Sequence, residues 1–377
     1  MKHLLPGHFL FTCLLLAPCL GFTQPSKPTA PGYEVKQTAF FSGIEWLGEE
    51  IPYGDTAKRG DTFPLTWAGD NNIYASAGDP LWGKKPDGLD FEMITGKPDN
   101  YIINKVNEMP GYFGWGGCGA KPTGLICVKN ILYLAFQNMT GMETKTDLAA
   151  CEVNHGYDAS IIYSEDFGKT WYPDIKTNKT PMFPGRIFAA PSFINYGKNN
   201  MEATDGYVYA MSGEGWCNGN HIRLGRVPAD KIMEKAAWEW VSGFKTGLMP
   251  VWTKNEFDAT AVLTHEGYLG MTDMVYISKL KRYLLFSWHF NKYADPNNGS
   301  KMIIYESPEP WGPFSIVYEA VWETNEKTPY NPRMPLKWFD EDKLEGWLLF
   351  SGTWRNYGGV INSHYRAHVR KFKLLLK

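Results

Sequence analysis

Residues 60–79 read GDTFPLTWAGDNNIYASAGD, and this stretch predicts a β-hairpin. Residues 65–68 form one short strand and residues 73–77 form the return strand. Gly69, Asp70 and the two asparagines between these strands suit a tight turn, because they tolerate the backbone angles that a reversal needs. Asp61 and Asp79 each lie nine residues from Asp70. They therefore return nearly opposite each other at the open end of the hairpin, where opposed residues lie about 5 Å apart at Cβ.

This pair of aspartates is a candidate catalytic pair. Two carboxylates held so close cannot both ionise freely, so the pKa of one of them should rise. A carboxylic acid beside a carboxylate is what glycoside hydrolysis needs, and close placement favours the retaining geometry. The alternative is that both are ordinary turn-forming residues outside a strand.

The hairpin pattern occurs five times along the chain, at intervals of roughly 60 to 80 residues. The copies lie at residues 65–77, 121–138, 190–214, 272–289 and 335–354. Further strands are predicted at residues 159–163, 171–174, 222–227, 238–242, 302–307 and 314–322. Regular four-stranded units of this kind predict an all-β fold, a five-bladed β-propeller, or six blades if a weak unit is misjudged. Residues 365–376 form a closing strand that pairs with residues 33–41, and the one clear short helix is expected at 229–237.

Propeller geometry assigns these residues to faces. In each blade the first strand begins and the second strand ends on one face, and the turn that joins them lies on the other. The first face therefore gathers carboxylates, cations, amides and an aromatic ring around the axis, as a carbohydrate pocket does. We expect Asp61 and Asp79 to be catalytic there. The substrate-binding residues expected on the same face are Lys121, Gln137, His155, Glu214, Asp273, His289, Arg333 and Trp354.

Several of these assignments have structural alternatives. Asp273 and His289 equally fit a hydrogen bond to each other in the core. Arg333 equally fits a structural role, and His155 fits a loop histidine bonded to backbone. Asp70 is assigned no chemistry, because it lies in the turn on the opposite face.

Composition and charge narrow the class of protein. The chain has 377 residues and a formal net charge of −2, without a long basic run, which argues against nucleic acid as a partner. Aromatic residues make up 15% of the chain, a share that suits both sugar-binding platforms and all-β cores. We expect a monomer that binds a polysaccharide or oligosaccharide, without an organic cofactor. A metal ion in the central channel has no signature in the sequence.

The N-terminal segment predicts export. Lys2 and His3 precede an apolar run over residues 9–20, which is too short for a membrane span and fits a bacterial secretory signal. We divide the chain into a signal peptide at 1–23, a proline-containing leader at 24–33 and a single propeller at 34–377. The expected location is secreted or periplasmic. Cys19 follows Pro18 and so fits a lipoprotein site poorly, and no later stretch predicts a membrane span.

Four cysteines remain after the signal, an even number that permits disulfides in an exported chain. Cys151 and Cys217 are a candidate pair between neighbouring loops, with Cys118 as a rival partner, and the pairing stays open. Cys127 falls within a predicted strand and is expected to be a free buried thiol. No cysteine and histidine spacing suggests zinc.

Two resemblances support the propeller. Residues 164–171, SEDFGKTW, resemble the Asp-box of sialidases, a structural turn at the periphery of a blade. Residues 60–79, with KPTG at 121–124, DGYVY at 205–209, LGRVP at 224–228 and EPWGPF at 309–314, are similar to landmarks of one secreted propeller family. That family was long known only as a domain of unknown function and includes bacterial endo-D-arabinanases.

The resemblance implies a five-bladed propeller and, for characterised members, endo-acting glycoside hydrolysis. It carries paired acids onto Asp61 and Asp79 only. The chain departs from the pattern at Gly69, where an acidic or small polar residue is expected, and in the insert around Cys151 and His155. The glycan, its linkage and endo or exo action therefore stay open.

Two other functions are compatible with the same residues. A polysaccharide lyase would use His155 and Tyr157 as base and acid, with Lys121 or Arg333 neutralising a uronate. A non-catalytic propeller would bind a glycan without cleaving it.

Overall fold

The computed structural model describes residues 34–55, 60–80, 88–112, 119–139, 156–292, 298–322, 328–353 and 364–377. In chain order its strands are β1 (Lys36–Gln37), β2 (Phe41–Trp46), β3 (Ile51–Pro52), β4 (Leu65–Trp67), β5 (Ile73–Gly78), β6 (Leu89–Lys97), β7 (Asn100–Asn107), β8 (Lys121–Val128), β9 (Ile131–Gln137), β10 (Ser160–Ser164), β11 (Pro191–Asn195), β12 (Tyr207–Gly213), β13 (Gly219–Pro228), β14 (Glu239–Lys245), β15 (Met249–Thr253), β16 (Ala261–Leu269), β17 (Asp273–Ile277), β18 (Arg282–Phe290), β19 (Ser300–Ser307), β20 (Ser315–Val321), β21 (Tyr330–Arg333), β22 (Glu345–Ser351) and β23 (Ala367–Leu376).

These strands form five antiparallel blades, which confirms the predicted all-β propeller. Blade 1 is β4–β7, and blade 2 is β8–β10 with an additional bridge between Tyr163 and Tyr172. Blade 3 is β11–β15, with β16 paired to β13. Blade 4 is β17–β20, and blade 5 is β21–β23 completed by β2. The first two strands of blades 1 to 4 lie where the sequence predicts them, because their apolar runs are bounded by turn-forming residues.

The inner strands meet around a central channel. Thr66 in blade 1 donates to Oδ1 of Asn195 in blade 3 at 2.7 Å, and Asn195 donates to the carbonyl of Leu125 in blade 2 at 3.2 Å. β11 and β17 pair in parallel, joining blades 3 and 4. Apolar clusters fill the space between neighbouring sheets; the one at blades 2 and 3 contains Trp238 and Trp240. The channel is therefore the axis around which the strand ends are placed.

The ring closes through both ends of the chain, but at a different place from the prediction. β2 pairs with β23 in blade 5, so the N-terminal partner is Phe41–Trp46 rather than residues 33–41. The residues just before it form β1, which pairs in parallel with β20 of blade 4. The N-terminal segment thus crosses between two blades and adds a strand to each.

The first strand of blade 5 was also predicted in the wrong place. The structure has it at β21, whereas Leu336–Trp338, within the predicted strand, is a 3₁₀ turn. Asn331 in this strand has a positive φ of 51°, and Pro332 follows it. An innermost strand has one edge facing the channel, so it tolerates a proline and a bulge.

The predicted helix at 229–237 is wrong. Among the described residues the helical segments are short 3₁₀ turns, at Lys198–Asn200, Lys235–Ala237, Thr246–Leu248, Glu256–Asp258 and Leu336–Trp338. Trp238 is fully buried, and its indole nitrogen donates to the carbonyl of Ile232 at 3.0 Å. Burying this ring next to β14 favours an extended chain over a continued helix. No helix in the described part of the chain is long and apolar enough to cross a membrane.

The turn at residues 164–171 has the local bonds that its sequence suggests. Asp166 accepts from the backbone N–H of Thr170 at 2.9 Å, and Gly168 has a positive φ of 91°. The Trp171 ring packs edge-on against Phe91 of blade 1, with ring centroids 4.8 Å apart. The turn therefore helps to hold blade 2 against blade 1.

The cysteine predictions have mixed outcomes. Cys127 lies in β8 as a free buried thiol, as predicted, and its Sγ donates to Oδ1 of Asn199 at 3.2 Å. Cys217 is buried in an aromatic cluster near the channel. Cys118 and Cys151 lie outside the described residues, so the pairing stays a prediction.

Candidate active site

Asp61 lies just before β4 of blade 1. It pairs with Gly78, whereas counting from the turn predicts that it lies opposite Asp79, one residue further along. Its N–H donates to the carbonyl of Gly78, and the N–H of Gly78 donates back to the Asp61 carbonyl, both at 2.9 Å. β4 and β5 pair Leu65 with Ala75, a register that would set Asp61 opposite Asp79. The shift arises because Thr62 and Phe63 have positive φ angles of 64° and 38° and bulge the chain.

Asp79 follows directly and turns toward the same place. It has a positive φ of 48°, and its carboxylate contacts the ammonium group of Lys121 at the start of β8. Asp61, Asp79 and Lys121 are only 5%, 2% and 5% exposed. Two carboxyl groups and one ammonium group from neighbouring blades therefore share one buried position.

Two tyrosines from blade 5 complete the surroundings of Asp61. The Tyr330 hydroxyl donates to Oδ2 of Asp61 at 3.0 Å. The Tyr365 hydroxyl is a second hydrogen-bond donor to the same carboxyl group. Both tyrosines belong to a buried aromatic cluster with Trp216 and Trp288. The Tyr330 ring centroid lies 5.5 Å from Trp216 and 5.4 Å from Trp288. Asp61 thus lies against an aromatic wall formed by these four rings.

This environment raises the pKa of Asp61 from its ordinary value to about 7. Burial is the largest cause, and the nearby charge of Asp79 is the second. The Lys121 ammonium and the Tyr330 hydroxyl act in the opposite direction, because they favour the ionised carboxylate. The prediction that one carboxyl of the pair would have a raised pKa is confirmed, with desolvation rather than the second carboxylate as its main cause.

Arg333 of blade 5 and Asp273 of blade 4 form a second buried pair of charged residues. Arg333 is 1% exposed and donates to the backbone carbonyls of Thr62 and Thr272. Its Nη1 lies 3.7 Å from Oδ1 of Asp273, and Oδ2 of Asp273 accepts from the N–H of Met334 at 2.9 Å. Burial raises the pKa of Asp273 and lowers that of Arg333. The alternative of a hydrogen bond from Asp273 to His289 is therefore wrong.

The remaining predicted residues have contacts of their own, separate from the pair of aspartates. Gln137 pairs with Lys121 in the blade 2 hairpin, and its Oε1 is buried with no hydrogen-bond partner among the residues described. Glu214 accepts from the N–H of Asn220 and lies 3.9 Å from Arg223. His289 turns toward Tyr268, with ring centroids 4.6 Å apart, and not toward the aspartates.

Two of the predicted residues, His155 and Trp354, lie outside the described residues. Within the described part of the chain no group of three or more histidine, cysteine or acidic side chains could hold a metal ion.

Tyr330 and Tyr365 were not predicted as site residues from the sequence. Tyr330 opens β21, so a correct placement of that strand would have put it on the same face as Asp61. Tyr365 lies just before β23 and was predicted only as the start of a closing strand. Trp288 lies next to His289 in β18, but the alternation of the strand sends its ring to the opposite side, toward Tyr330.

The fold places this protein in the class of all-β propellers, here with two buried carboxyl groups side by side. The chain belongs to the DUF4185 family, a domain of unknown function whose model matches residues 44–358. No curated protein matches it.

Solved structures with the same fold are distant in sequence. The α-L-arabinofuranosidase PaAbf62A from Podospora anserina, in complex with cellotriose, is 11% identical with a TM-score of 0.50, covering 89% of this chain and 98% of that chain. A GH43_1 enzyme from Xanthomonas citri is 11% identical with a TM-score of 0.51, covering 85% and 89%. A protein of unknown function from Dyadobacter fermentans is 13% identical with a TM-score of 0.50, covering 88% and 99%. At this identity the likeness shows the propeller fold.

Proposed function

We propose that this protein is a glycoside hydrolase that cleaves a polysaccharide at the mouth of its channel. One observation carries the proposal: Asp61, with a pKa of about 7, lies beside Asp79, whose carboxylate contacts Lys121. A carboxylic acid that keeps its proton near neutral pH, next to a carboxylate with a cationic partner, is the pair that glycoside hydrolysis requires.

The two carboxyl groups divide the chemistry between them. Asp61 protonates the glycosidic oxygen, because burial against the aromatic wall holds its proton on the carboxyl near neutral pH. Asp79 acts as the nucleophile or as the base that activates water, since the Lys121 ammonium favours its charged form. A close pair favours retention of configuration and a wider pair favours inversion, so the stereochemistry of the product reports which role Asp79 takes.

The proposed substrate is an arabinan-like or related glycan. The sequence resemblance to a family with endo-D-arabinanases supports this choice. The shared fold agrees with it, since PaAbf62A is an α-L-arabinofuranosidase. We further propose that the enzyme is exported and acts outside the cytoplasm, since residues 1–23 have the pattern of a secretory signal. We also propose that it acts as a monomer.

The geometry supports hydrolysis over the lyase alternative. A lyase needs a cation to face the uronate carboxylate. Arg333 is enclosed in the channel and donates to two backbone carbonyls, while Lys121 contacts Asp79. Neither cation is placed to receive a carboxylate of the substrate without giving up these contacts.

A screen of the purified protein against a polysaccharide panel tests the proposal. Products are separated by chromatography, and ultraviolet absorbance distinguishes a lyase product. Asp61→Asn and Asp79→Asn should each lower turnover by at least about a thousandfold, since each removes one half of the pair. Asp70→Asn is the matched control, because Asp70 is an exposed residue of the β4–β5 turn on the opposite face.

The control should cleave at the wild-type rate. Full activity in either Asp61→Asn or Asp79→Asn would refute hydrolysis by this pair. Binding of an oligosaccharide without cleavage by the wild-type protein would favour the non-catalytic alternative.

A further inference from the structure

Arg333 of blade 5 bonds to backbone groups at the inner strands of blades 1 and 4. From β21 of blade 5, its Nε donates to the carbonyl of Thr62 in blade 1 at 2.9 Å. Its Nη1 donates to the carbonyl of Thr272, just before blade 4, at 2.7 Å. Asp273 provides the neighbouring negative charge at 3.7 Å. The guanidinium is planar and its donors point in fixed directions, so it holds these backbone groups at defined positions relative to one another.

Thr62 has a conformation that its own chemistry disfavours. A β-branched residue with a φ of 64° is uncommon, and Phe63 follows it with a φ of 38°. Such residues persist only where the surroundings hold them, and they cluster at functional sites. Two contacts from blade 5 hold Thr62: the Arg333 bond to its carbonyl and a bond from its N–H to Oγ of Ser351 at 3.1 Å.

The conformation of Thr62 sets the place of Asp61. The bulge at Thr62 and Phe63 moves Asp61 opposite Gly78 and brings its carboxyl under the Tyr330 hydroxyl. The fit there is close, since a Cβ on Gly78 would lie 2.6 Å from Oδ1 of Asp61. A relaxed Thr62 would return the chain toward the regular register of β4 and β5 and would move the carboxyl away from the aromatic wall.

We infer that Arg333 is a positioning residue, which holds Thr62 in its strained conformation and so places the Asp61 carboxyl for catalysis. From the sequence, Arg333 fitted substrate binding and a structural role equally well. This inference rests on the proposed function for its catalytic meaning. Its structural content, the control of the environment of Asp61 by Arg333, does not depend on the substrate.

The test measures Asp61 directly as well as turnover. Arg333→Met and Arg333→Lys are compared with the wild type in the full-length mature protein labelled with carbon-13 at the aspartate carboxyl groups. The Asp61 signal is assigned by its loss in Asp61→Asn. Both variants should show an Asp61 titration midpoint moved toward the ordinary aspartate range, because the carboxyl leaves its buried position. Turnover should fall about tenfold to a hundredfold with little change in KM, since the acid is misplaced while substrate contacts remain.

Thr62→Gly separates positioning from packing. Glycine adopts a positive φ without strain, so the double variant Arg333→Met with Thr62→Gly should recover part of the turnover and part of the midpoint shift. Arg226→Met is the matched control: Arg226 packs between Tyr207 and Trp252 and pairs with Glu239, away from the channel mouth. It should lower stability while leaving the Asp61 midpoint and turnover unchanged.

The outcomes distinguish the two proposals. An unchanged Asp61 midpoint in folded Arg333→Lys or Arg333→Met, or an effect on KM alone, would overturn the positioning role. An active Asp61→Asn would refute the proposed function, and the carbon-13 titration would still decide whether Arg333 controls the environment of Asp61. If Arg333→Met does not fold, Arg333→Lys decides the matter, since it keeps the charge beside Asp273 and loses the planar geometry.

Discussion

The hydroxyl of Tyr330 donates a hydrogen bond to the Asp61 carboxyl at 3.0 Å, although the two residues lie 269 positions apart in the chain. This contact joins the last blade to the first across the closure of the ring. It places the carboxyl against buried aromatic rings. The same contact provides a hydrogen bond that favours the ionised form, so it offsets part of the effect of burial on the pKa.

The pH dependence of turnover is the first prediction. Asp61 must be protonated to act as the acid, and its pKa is about 7. kcat/KM should therefore fall above about pH 7, tenfold for each further pH unit, and this decline is the alkaline limb of the pH profile. Any residual activity of Asp61→Asn should lack the alkaline limb. Initial rates between pH 5 and pH 9 measure this, since that range brackets the pKa. A rate that is level up to pH 9 would contradict the assignment of Asp61 as the acid.

Tyr330→Phe should move that limb to higher pH. The substitution removes a hydrogen bond that lowers the pKa of Asp61 and leaves the burial that raises it. The midpoint of this decline should rise by about one to two pH units, the size expected for the loss of one hydrogen bond to a charged group. Tyr276→Phe is the control, because the Tyr276 ring packs against Tyr196 and Tyr283 and not against Asp61. A limb that stays in place, or moves to lower pH, would contradict the role given to Tyr330.

The sequence predicts that the two aspartates lie together, because both are nine residues from Asp70 in a single local turn. It does not predict their true register, which depends on two non-glycine residues with positive φ. The first of them, Thr62, is held by Arg333 and Ser351, at separations of 271 and 289 positions. Local propensity alone argues against such a bulge. Tyr330 was missed because the predicted first strand of blade 5 began at Pro335, five residues after Tyr330.

Asp61→Asn should stabilise the protein at neutral and alkaline pH. The folded state holds the Asp61 proton up to about pH 7, whereas the unfolded chain releases it at about pH 4. The wild-type protein therefore loses stability as the pH rises between these values, because the unfolded state binds fewer protons. Asparagine does not ionise. Its free energy of unfolding relative to wild type should increase from pH 4 to pH 7, by up to about 4 kcal/mol.

Urea unfolding at several pH values measures this difference, and Asp70→Asn is the control because Asp70 is exposed. A difference between Asp61→Asn and wild type that does not depend on pH would show that burial does not retain the Asp61 proton. The expected result would show that Asp61, which the proposed reaction requires, lowers the free energy of unfolding near neutral pH.

Gly78→Ala should lower turnover without unfolding the protein. Gly78 ends β5, and a Cβ there would lie 2.6 Å from Oδ1 of Asp61 and 3.2 Å from Cδ of Lys121. The flexible carboxyl and lysine chain must move, since the backbone around them is fixed by the bonds between Asp61 and Gly78. We expect turnover to fall about tenfold to a hundredfold, because a displacement of about 1 Å at a reacting group has effects of this size.

Gly213→Ala is the matched control, because Gly213 ends the equivalent strand of blade 3 and a Cβ there would meet its nearest atom at 3.7 Å. Both variants add one methyl group at the end of a second strand on the same face of the propeller. Equal turnover in the two variants would mean that the space between Gly78 and Asp61 does not matter for the reaction. Loss in Gly78→Ala alone, with urea midpoints of the two variants alike, would show that the crowded position of Asp61 is required for catalysis, because methyl addition elsewhere on the face would then be harmless.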